Sequence, residues 1–322
     1  MERSRTSIAM ATCNGGHFIA EQLASLASQS RPPDQLVVCD DHSEDDTLAR
    51  VEAFREGAPF EVLIERNSQR LGPTANFERA VSLCEGDVIL LSDQDDVWLP
   101  EKIETLVDAL AAHPEWGLAF CNGRVMDSSL KPLGYDLWQA LFFDSHEQAE
   151  VARGRAPDVF MRHVVAAGNT LAFRSHFREI LLPFPDLPST HDAWIAFVIS
   201  CLAGAGLVPE ELIHYRLHGE NLIGIHRFGW LDQLRQARRQ LEDDAFGRLA
   251  TFFEAAQLRL QDKINADLRE AIEEKIAHCR TRADMRGGAF ERLPNIYAEW
   301  KAGRYARFSY GLKSVAQDIW LR

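Results

Sequence analysis

Val88-Ile89-Leu90-Leu91-Ser92-Asp93-Gln94-Asp95-Asp96 is the stretch that decides the fold. Four aliphatic residues run without a polar interruption and stop at three carboxylates within four positions. A short continuous apolar run suits a strand buried on both faces, as in a parallel sheet. The acids then stand beyond the strand's carboxyl end, where open α/β sheets bind ligands. Carboxylates this close repel one another unless water or a cation compensates. Hard cations such as Mg²⁺ and Mn²⁺ prefer oxygen ligands, and Mg²⁺ commonly bridges one or two carboxylates to a phosphate. The same acids also suit a solvated turn, with an aspartate capping the helix that Pro100 begins.

The punctuation repeats outward from this stretch. Ser7–Ala11, Gln35–Cys39, Glu61–Ile64 and Leu118–Cys121 read as strands. Between them, Phe18, Ile19, Leu23 and Leu26 recur at helical spacing, and Arg31-Pro32-Pro33 ends that helix. Ser43 is the expected cap of a second helix, with Asp45 and Asp46 at its positive end. Leu71–Leu83 reads as a loop and helix, and another helix runs from Pro100 through Ala111. This alternation predicts an α/β fold with a doubly wound, mostly parallel sheet. Lys131 to Arg162 shows no clear period, a Pro-rich loop spans Pro183 to Pro188, a helix is expected over Asp192–Ala203, and Val208–Tyr215 reads as a closing strand. Beyond Phe228 the strand signal ends, and Trp230–Leu241, Asp244–Leu260 and Asp267–Cys279 read as helices. Residues 1–227 are therefore expected to form the α/β domain, and 228–322 a C-terminal helical appendage.

Composition narrows the function. The 322 residues are 46% hydrophobic and 26% charged, enough to bury a core without disulfides. A net charge of −13 argues against a nucleic-acid partner, which needs a basic footprint. Cys13, Cys39, Cys84, Cys121, Cys201 and Cys279 are scattered, so free thiols in a reducing compartment are expected. No signal-peptide pattern and no apolar run of ~20 residues is present. These features suggest a cytoplasmic protein that meets a membrane only at its surface.

An ordered series of motifs adds to this. Ala11-Thr12-Cys13-Asn14-Gly15 is followed by Gln22-Leu23, Gln29-Ser30 and Val37-Val38-Cys39-Asp40-Asp41-His42-Ser43. Asn67 to Phe77 comes next, and then Leu91 through Trp98. The series resembles the family 2 inverting glycosyltransferases with the GT-A fold. It is most similar to bacterial, rhamnosyltransferase-like members that build polysaccharides, over roughly the first two-thirds of the chain. The resemblance implies a nucleotide-sugar donor and a glycan or lipid-linked glycan acceptor. It implies that Thr12 and Asn14 line the nucleotide pocket and that Asp41, with Asp40 beside it, accepts from the base. A carboxylate can take the imide N–H of a pyrimidine, which points to a UDP- or dTDP-sugar. Arg70 and Asn76 would approach the donor, Arg70 as a phosphate or ribose contact. Asp93 would contact ribose or metal, and Asp95 would be a ligand of Mn²⁺ or Mg²⁺.

Further roles carry over from the second half of the match. Inverting transfer needs a base opposite the leaving group. His191-Asp192-Ala193-Trp194 resembles the family's base motif, with His191 where an acid usually stands. Asp192 is thereby the candidate base, although the same aspartate would serve as a helix cap. In Arg216-Leu217-His218-Gly219, His218 would complete the metal shell and Arg216 would face the diphosphate. Gly168-Asn169-Thr170 lies where family members contact acceptor or sugar. After Trp300, basic residues Lys301, Arg304, Arg307, Lys313 and Arg322 interleave with Tyr305, Phe308, Tyr310 and Trp320. That segment suits either peripheral membrane contact or a helix packed on a core.

Two alternatives belong to other classes. A sugar-phosphate nucleotidyltransferase would need a basic phosphate loop after the first strand, and Cys13-Asn14-Gly15-Gly16-His17 has no Lys or Arg. An inactive glycan-binding scaffold would have no use for a self-repelling carboxylate cluster.

Overall fold

The computed structural model describes residues 3–187, 191–219 and 244–320. The chain divides into two compact units, one of residues 1–156 and 165–225, the other of 157–164 and 226–322. In the first unit, strands and helices alternate as β1 (Thr6–Thr12), α1 (Ile19–Ala27), β2 (Gln35–Asp40), α2 (Thr47–Gly57), β3 (Glu61–Arg66), α3 (Pro73–Leu83) and β4 (Val88–Ser92). Then come β5 (Val97–Trp98), α4 (Lys102–Ala112), β6 (Trp116–Met126) and β7 (Pro132–Asp136). The span that lacked a readable period holds β7, the short α5 (Leu137–Ala140), α6 (Ser145–Ala152) and α7 (Ala156–Arg162), the last counted from residue 157 with the second unit. The first unit closes with β8 (Leu171–Arg174), α8 (Arg178–Leu181), α9 (His191–Leu202) and β9 (Gly204–Arg216).

The sheet order is β3-β2-β1-β4-β8-β6-β9-β5, with β7 added on β6. Ladders β3-β2, β2-β1, β1-β4 and β6-β9 are parallel and carry most of the paired residues. β8 runs antiparallel to both of its neighbours, and β5 and β7 are antiparallel additions. β2 and β4 are buried along their whole length, which explains their unbroken apolar runs. α1 turns Ile19, Leu23 and Leu26 into the same core, and α4 does so with Ile103, Leu106, Val107 and Leu110. All six cysteines are free.

This order creates the site. Strands 1 to 3 build outward in one direction and strand 4 joins on the other side of β1, so the crevice opens where the winding reverses. Met10 pairs with Ser92, which sets Thr12–Asn14 beside Asp93–Asp96. β8 runs against β4 with Ala172 opposite Leu90, so the turn preceding β8 (168–170) also reaches this end. β5 pairs with β9 through Val97–His214 and Trp98–Ile213, which carries Arg216 back to the acidic motif.

In the second unit, α10 (Ala245–Leu260), α11 (Ala266–Asp284), α12 (Ala289–Lys301), α13 (Arg304–Phe308) and α14 (Leu312–Trp320) follow one another. Arg286-Gly287-Gly288 separates α11 from α12, and Gly287 takes the left-handed φ of 82° there. The helix expected over Trp230–Leu241 lies outside the described residues. None of the described helices is long and apolar enough to cross a membrane.

Candidate active site

The acidic motif is asymmetric in its surroundings. Asp96 is buried, and its carboxylate accepts from the Arg216 backbone N–H at 3.1 Å and from the Asn169 amide. Asp96 therefore does not cap the helix after Pro100, because its oxygens are spent inside the sheet. Burial and the neighbouring Asp95 push its pKa up to about 7, against the pull of Arg216, Asn169 and Lys102. Asp95 places Oδ2 2.9 Å from His218 Nε2. The His218 ring packs on Phe18 with centroids 4.4 Å apart. Asp93 has no hydrogen-bond partner for its carboxylate among the described residues. Desolvation, then the charges of Asp96, Asp95 and Asp192, hold its pKa well above the usual carboxylate range.

Three residues that the sequence reading did not assign hold this arrangement. Lys102 is fully buried, lies 3.4 Å over the Trp98 ring and donates to the Asn169 carbonyl. Its burial lowers its pKa to about 8, against the attraction of Cys121, Asp96 and Asp93. Gln94 accepts from the Cys13 N–H at 2.8 Å and donates to the Cys13 carbonyl at 3.1 Å, binding the first loop to the motif. Glu21 pairs with Arg216. Lys102 carried a readable signal: a lysine at a core-facing helical position, six residues after three acids. Gln94 and Glu21 carried none, because their partners are distant in sequence.

The nucleotide-side residues lie at the ends of β1 and β2. Asp40 is buried and accepts from Thr12 Oγ1 at 3.0 Å and from the Ser43 N–H at 2.9 Å. Ser43 is thus not the cap of α2. Its hydroxyl donates to Asp40 at 2.5 Å and accepts from the Asn14 N–H at 2.8 Å, while Asp45 takes the Thr47 N–H. Asn14 is exposed in the left-handed region at φ 50°, and its side chain accepts from the Glu44 N–H. Asp41 accepts from Asn67 at 2.8 Å, the Leu71 N–H at 2.7 Å and the Gly72 N–H at 2.9 Å. Asn76, expected to approach the donor, is buried, with its amide spent on Asn67, Cys39 and Thr12. Arg70 is exposed on the 67–72 loop, and its charge reaches the Cys13 thiol.

Arg216 differs from its expected role. It is 3% exposed, and its guanidinium donates to the Asp95 carbonyl at 2.8 Å, the Ser128 carbonyl at 3.0 Å and Glu21. Its guanidinium nitrogens are bonded within the fold, one of them to the Asp95 carbonyl. The reason is the β5–β9 pairing, which draws residue 216 beneath the motif.

On the facing side, α9 presents His191 and Asp192. Asp192 accepts from the Ala193 N–H at 2.7 Å and lies close enough to act on Asp93. His191 stacks on Phe77 with centroids 4.1 Å apart and planes at 17°. Desolvation lowers its pKa below the ordinary 6.5, against the charge of Asp192. Its Nδ1 and the Asn169 Oδ1 are buried atoms without partners among the described residues. Gly168 makes this closeness possible, since a Cβ there would stand 3.2 Å from His191 Nε2 and 3.3 Å from the Asp192 Cβ.

Residues 7–150 match the model of Glycosyl transferase family 2, so the chain carries a glycosyltransferase domain of that family. An uncharacterized glycosyltransferase of Nostoc sp. is 22% identical over 229 residues, covering 67% of this chain and 66% of its own length. The dTDP-rhamnosyl transferase RfbG of Shigella flexneri is 37% identical over 105 residues, 31% of this chain and 36% of that protein. The chain thus spans just under two thirds of the first relative and about a third of the second. Two solved structures share the fold. S. aureus TarS in complex with UDP-GlcNAc aligns with a TM-score of 0.57 at 16% identity, over 98% of this chain and 81% of that one. The mannosyltransferase PcManGT of Pyrobaculum calidifontis, with GDP-Man and Mn²⁺, aligns with a TM-score of 0.53 at 18% identity, over 100% and 86%. The fold is of the GT-A type.

Two predictions follow from the α9 face. In the folded chain His191 binds a proton only below its ordinary 6.5, so the unfolded chain binds more protons in that window. Its contribution to stability is therefore present above 6.5 and lost as pH falls through the depressed folded value. Relative to the parent, His191→Leu gains stability on acidification through that window, read from denaturant midpoints. Gly168→Ala displaces His191 and Asp192 and lowers kcat by about tenfold or more, with a much smaller change in melting temperature.

Proposed function

We propose that the chain is an inverting glycosyltransferase that moves a sugar from a UDP- or dTDP-sugar to a hydroxyl of a glycan or lipid-linked glycan acceptor. The observation that carries this is the meeting of two carboxylate-bearing segments, the end of β4 with Asp93 and the start of α9 with Asp192, at Gly168, where a Cβ would stand 3.8 Å from Leu91 Cδ1 and 3.3 Å from the Asp192 Cβ. One lies where an α/β sheet binds its ligand, and the other faces it from across the crevice. The dTDP-rhamnosyl transferase and the UDP and UDP-GlcNAc complexes of TarS support the donor class. A named relative of Escherichia coli, a UDP-Glc:alpha-D-GlcNAc-diphosphoundecaprenol glucosyltransferase, supports a lipid-linked acceptor.

Each side chain has a task in this reading. One Asp192 oxygen is held by the Ala193 N–H, and the other is available to take the proton from the acceptor hydroxyl as it attacks the anomeric carbon. His191, stacked and neutral, keeps a second positive charge away from that base. Asp41 uses three of about four lone-pair positions on the 67–72 loop, which leaves one for the imide N–H of a pyrimidine. Thr12 and Asn14 line the base and ribose side, and Arg70 reaches toward the phosphates. Asp40 and Asn76 position these loops from below.

No group of three or more His, Cys, Asp or Glu side chains among the described residues is arranged as a metal site. Asp95 and His218 nevertheless bring an oxygen and a nitrogen within 2.9 Å, and the Asp93 carboxylate is open. The chemistry of this donor set fits Mn²⁺ or Mg²⁺, which Asp95, with Asp93 and His218, would hold. Bound there, the ion would neutralise charge developing on the departing diphosphate. Imidazole favours Mn²⁺ of the two.

The test is release of nucleoside diphosphate from a panel of nucleotide sugars with Mn²⁺. Asp192→Asn is expected to lower kcat by about 10²- to 10⁴-fold with donor affinity retained. Undiminished turnover would sink the base assignment. Asp95→Ala is expected to remove the metal dependence of UDP binding measured by calorimetry, and an unchanged dependence overturns the metal assignment.

A further inference from the structure

On α12, Arg292 and Glu299 turn inward together with Ile296, while a row of large apolar side chains turns outward. Arg292 and Glu299 are 3% and 4% exposed. Arg292 donates to the Asp318 and Ile319 carbonyls, and Glu299 takes His278 at 2.7 Å and Arg304 at 2.9 Å. On the opposite arc, Phe290, Leu293, Tyr297 and Trp300 are 88%, 42%, 60% and 53% exposed. Their spacing of three, four and three residues aligns them along one face. α14 repeats the pattern, with Asp318 fully buried against Arg282 and Tyr305 while Leu312 and Trp320 stand exposed. An amphipathic helix in water turns the other way, and exposed apolar arrays of this kind mark interaction surfaces.

The segment singled out from the sequence divides differently. Tyr305 and Phe308 are buried, Arg304 pairs with Glu299, and Arg307 pairs with Glu274 at 2.6 Å. Those residues belong to the unit's interior and its rim. The outward array is instead Phe290, Leu293, Tyr297, Trp300, Leu312 and Trp320.

We propose that this array is the contact of the helical unit with an anionic lipid surface. Tyr and Trp suit the boundary between headgroups and acyl chains, where an apolar body and a polar tip are both satisfied. Of the charges on these two helices, Lys301, Lys313 and Glu291 are exposed, while Arg292, Glu299 and Asp318 are sequestered. The exposed balance here is basic, in a chain whose net charge is −13. That local reversal complements anionic headgroups. This inference stands on the helical unit's own surface and is independent of the reading of the sheet-end site.

The test is flotation of the full chain with vesicles of phosphatidylcholine alone and with phosphatidylglycerol added. The parent is expected to float with the anionic vesicles, less so at raised salt. The triple variant Phe290→Ser, Tyr297→Ser, Trp300→Ser is expected to lose roughly tenfold or more of that binding, with its circular dichroism unchanged. Should the triple variant misfold, Lys301→Glu with Lys313→Glu tests the same surface and is expected to weaken binding to anionic vesicles alone. Failure of the parent to float, or equal flotation of parent and both variants, overturns the proposal. So does a concentration-dependent dimer that the triple variant abolishes while vesicles bind no protein.

Discussion

The compensation of Asp96 is the interaction on which the rest of the first unit depends. A carboxylate in the interior of a sheet is tolerable only when its oxygens are bonded and an opposite charge is near. Asn169 and the Arg216 N–H supply the bonds, and Lys102 supplies the charge from the start of α4. Removing one side of such a buried arrangement costs about 3–5 kcal/mol, because the other side is left stranded. Three segments far apart in the chain are therefore held to the end of β4 by one group.

The donor side is built on the same principle with lighter means. Asp40 and Asp41 follow β2 directly, and each organises a loop: Asp40 gathers Thr12 and Ser43, and Asp41 gathers the 67–72 segment. Gln94 joins the first loop to the acidic motif through both its amide atoms. Gly15 has to lack a side chain there, since a Cβ would meet the Gln94 amide at 2.2 Å. Many of the polar groups at this end are thus consumed in placing others. The open ones, Asp93, Asp192, Arg70, Asn169 Oδ1 and His191 Nδ1, are correspondingly the candidates for ligand contact.

The helical unit solves a different problem. Beside buried apolar residues such as Phe253, Leu260, Ile272 and Ile296, it holds a buried polar network of His278, Arg282, Glu299, Tyr305, Ser309 and Asp318. Such a network specifies a unique arrangement only when every member is satisfied. It also frees apolar positions to face outward, which is the pattern seen on α12 and α14.

The sequence by itself determined the sheet's N-terminal half and the location of the ligand end. Continuous apolar runs closed by acids can form only buried strands with charged ends, and this signal is local. It also marked Asp93, Asp95, Asp192 and His218 as chemically capable groups, through motif order. The tertiary structure alone decided which of the polar residues are open and which are spent. Arg216 and Asn76 look like ligand contacts in one dimension, whereas their polar atoms are bonded to residues 88 to 195 and up to 64 positions away. The same holds for the C-terminal segment, whose outward face depends on which side of α12 binds Asp318 and Glu299's partners. Hydrogen-bond saturation is a non-local property, and no residue's neighbours in sequence reveal it.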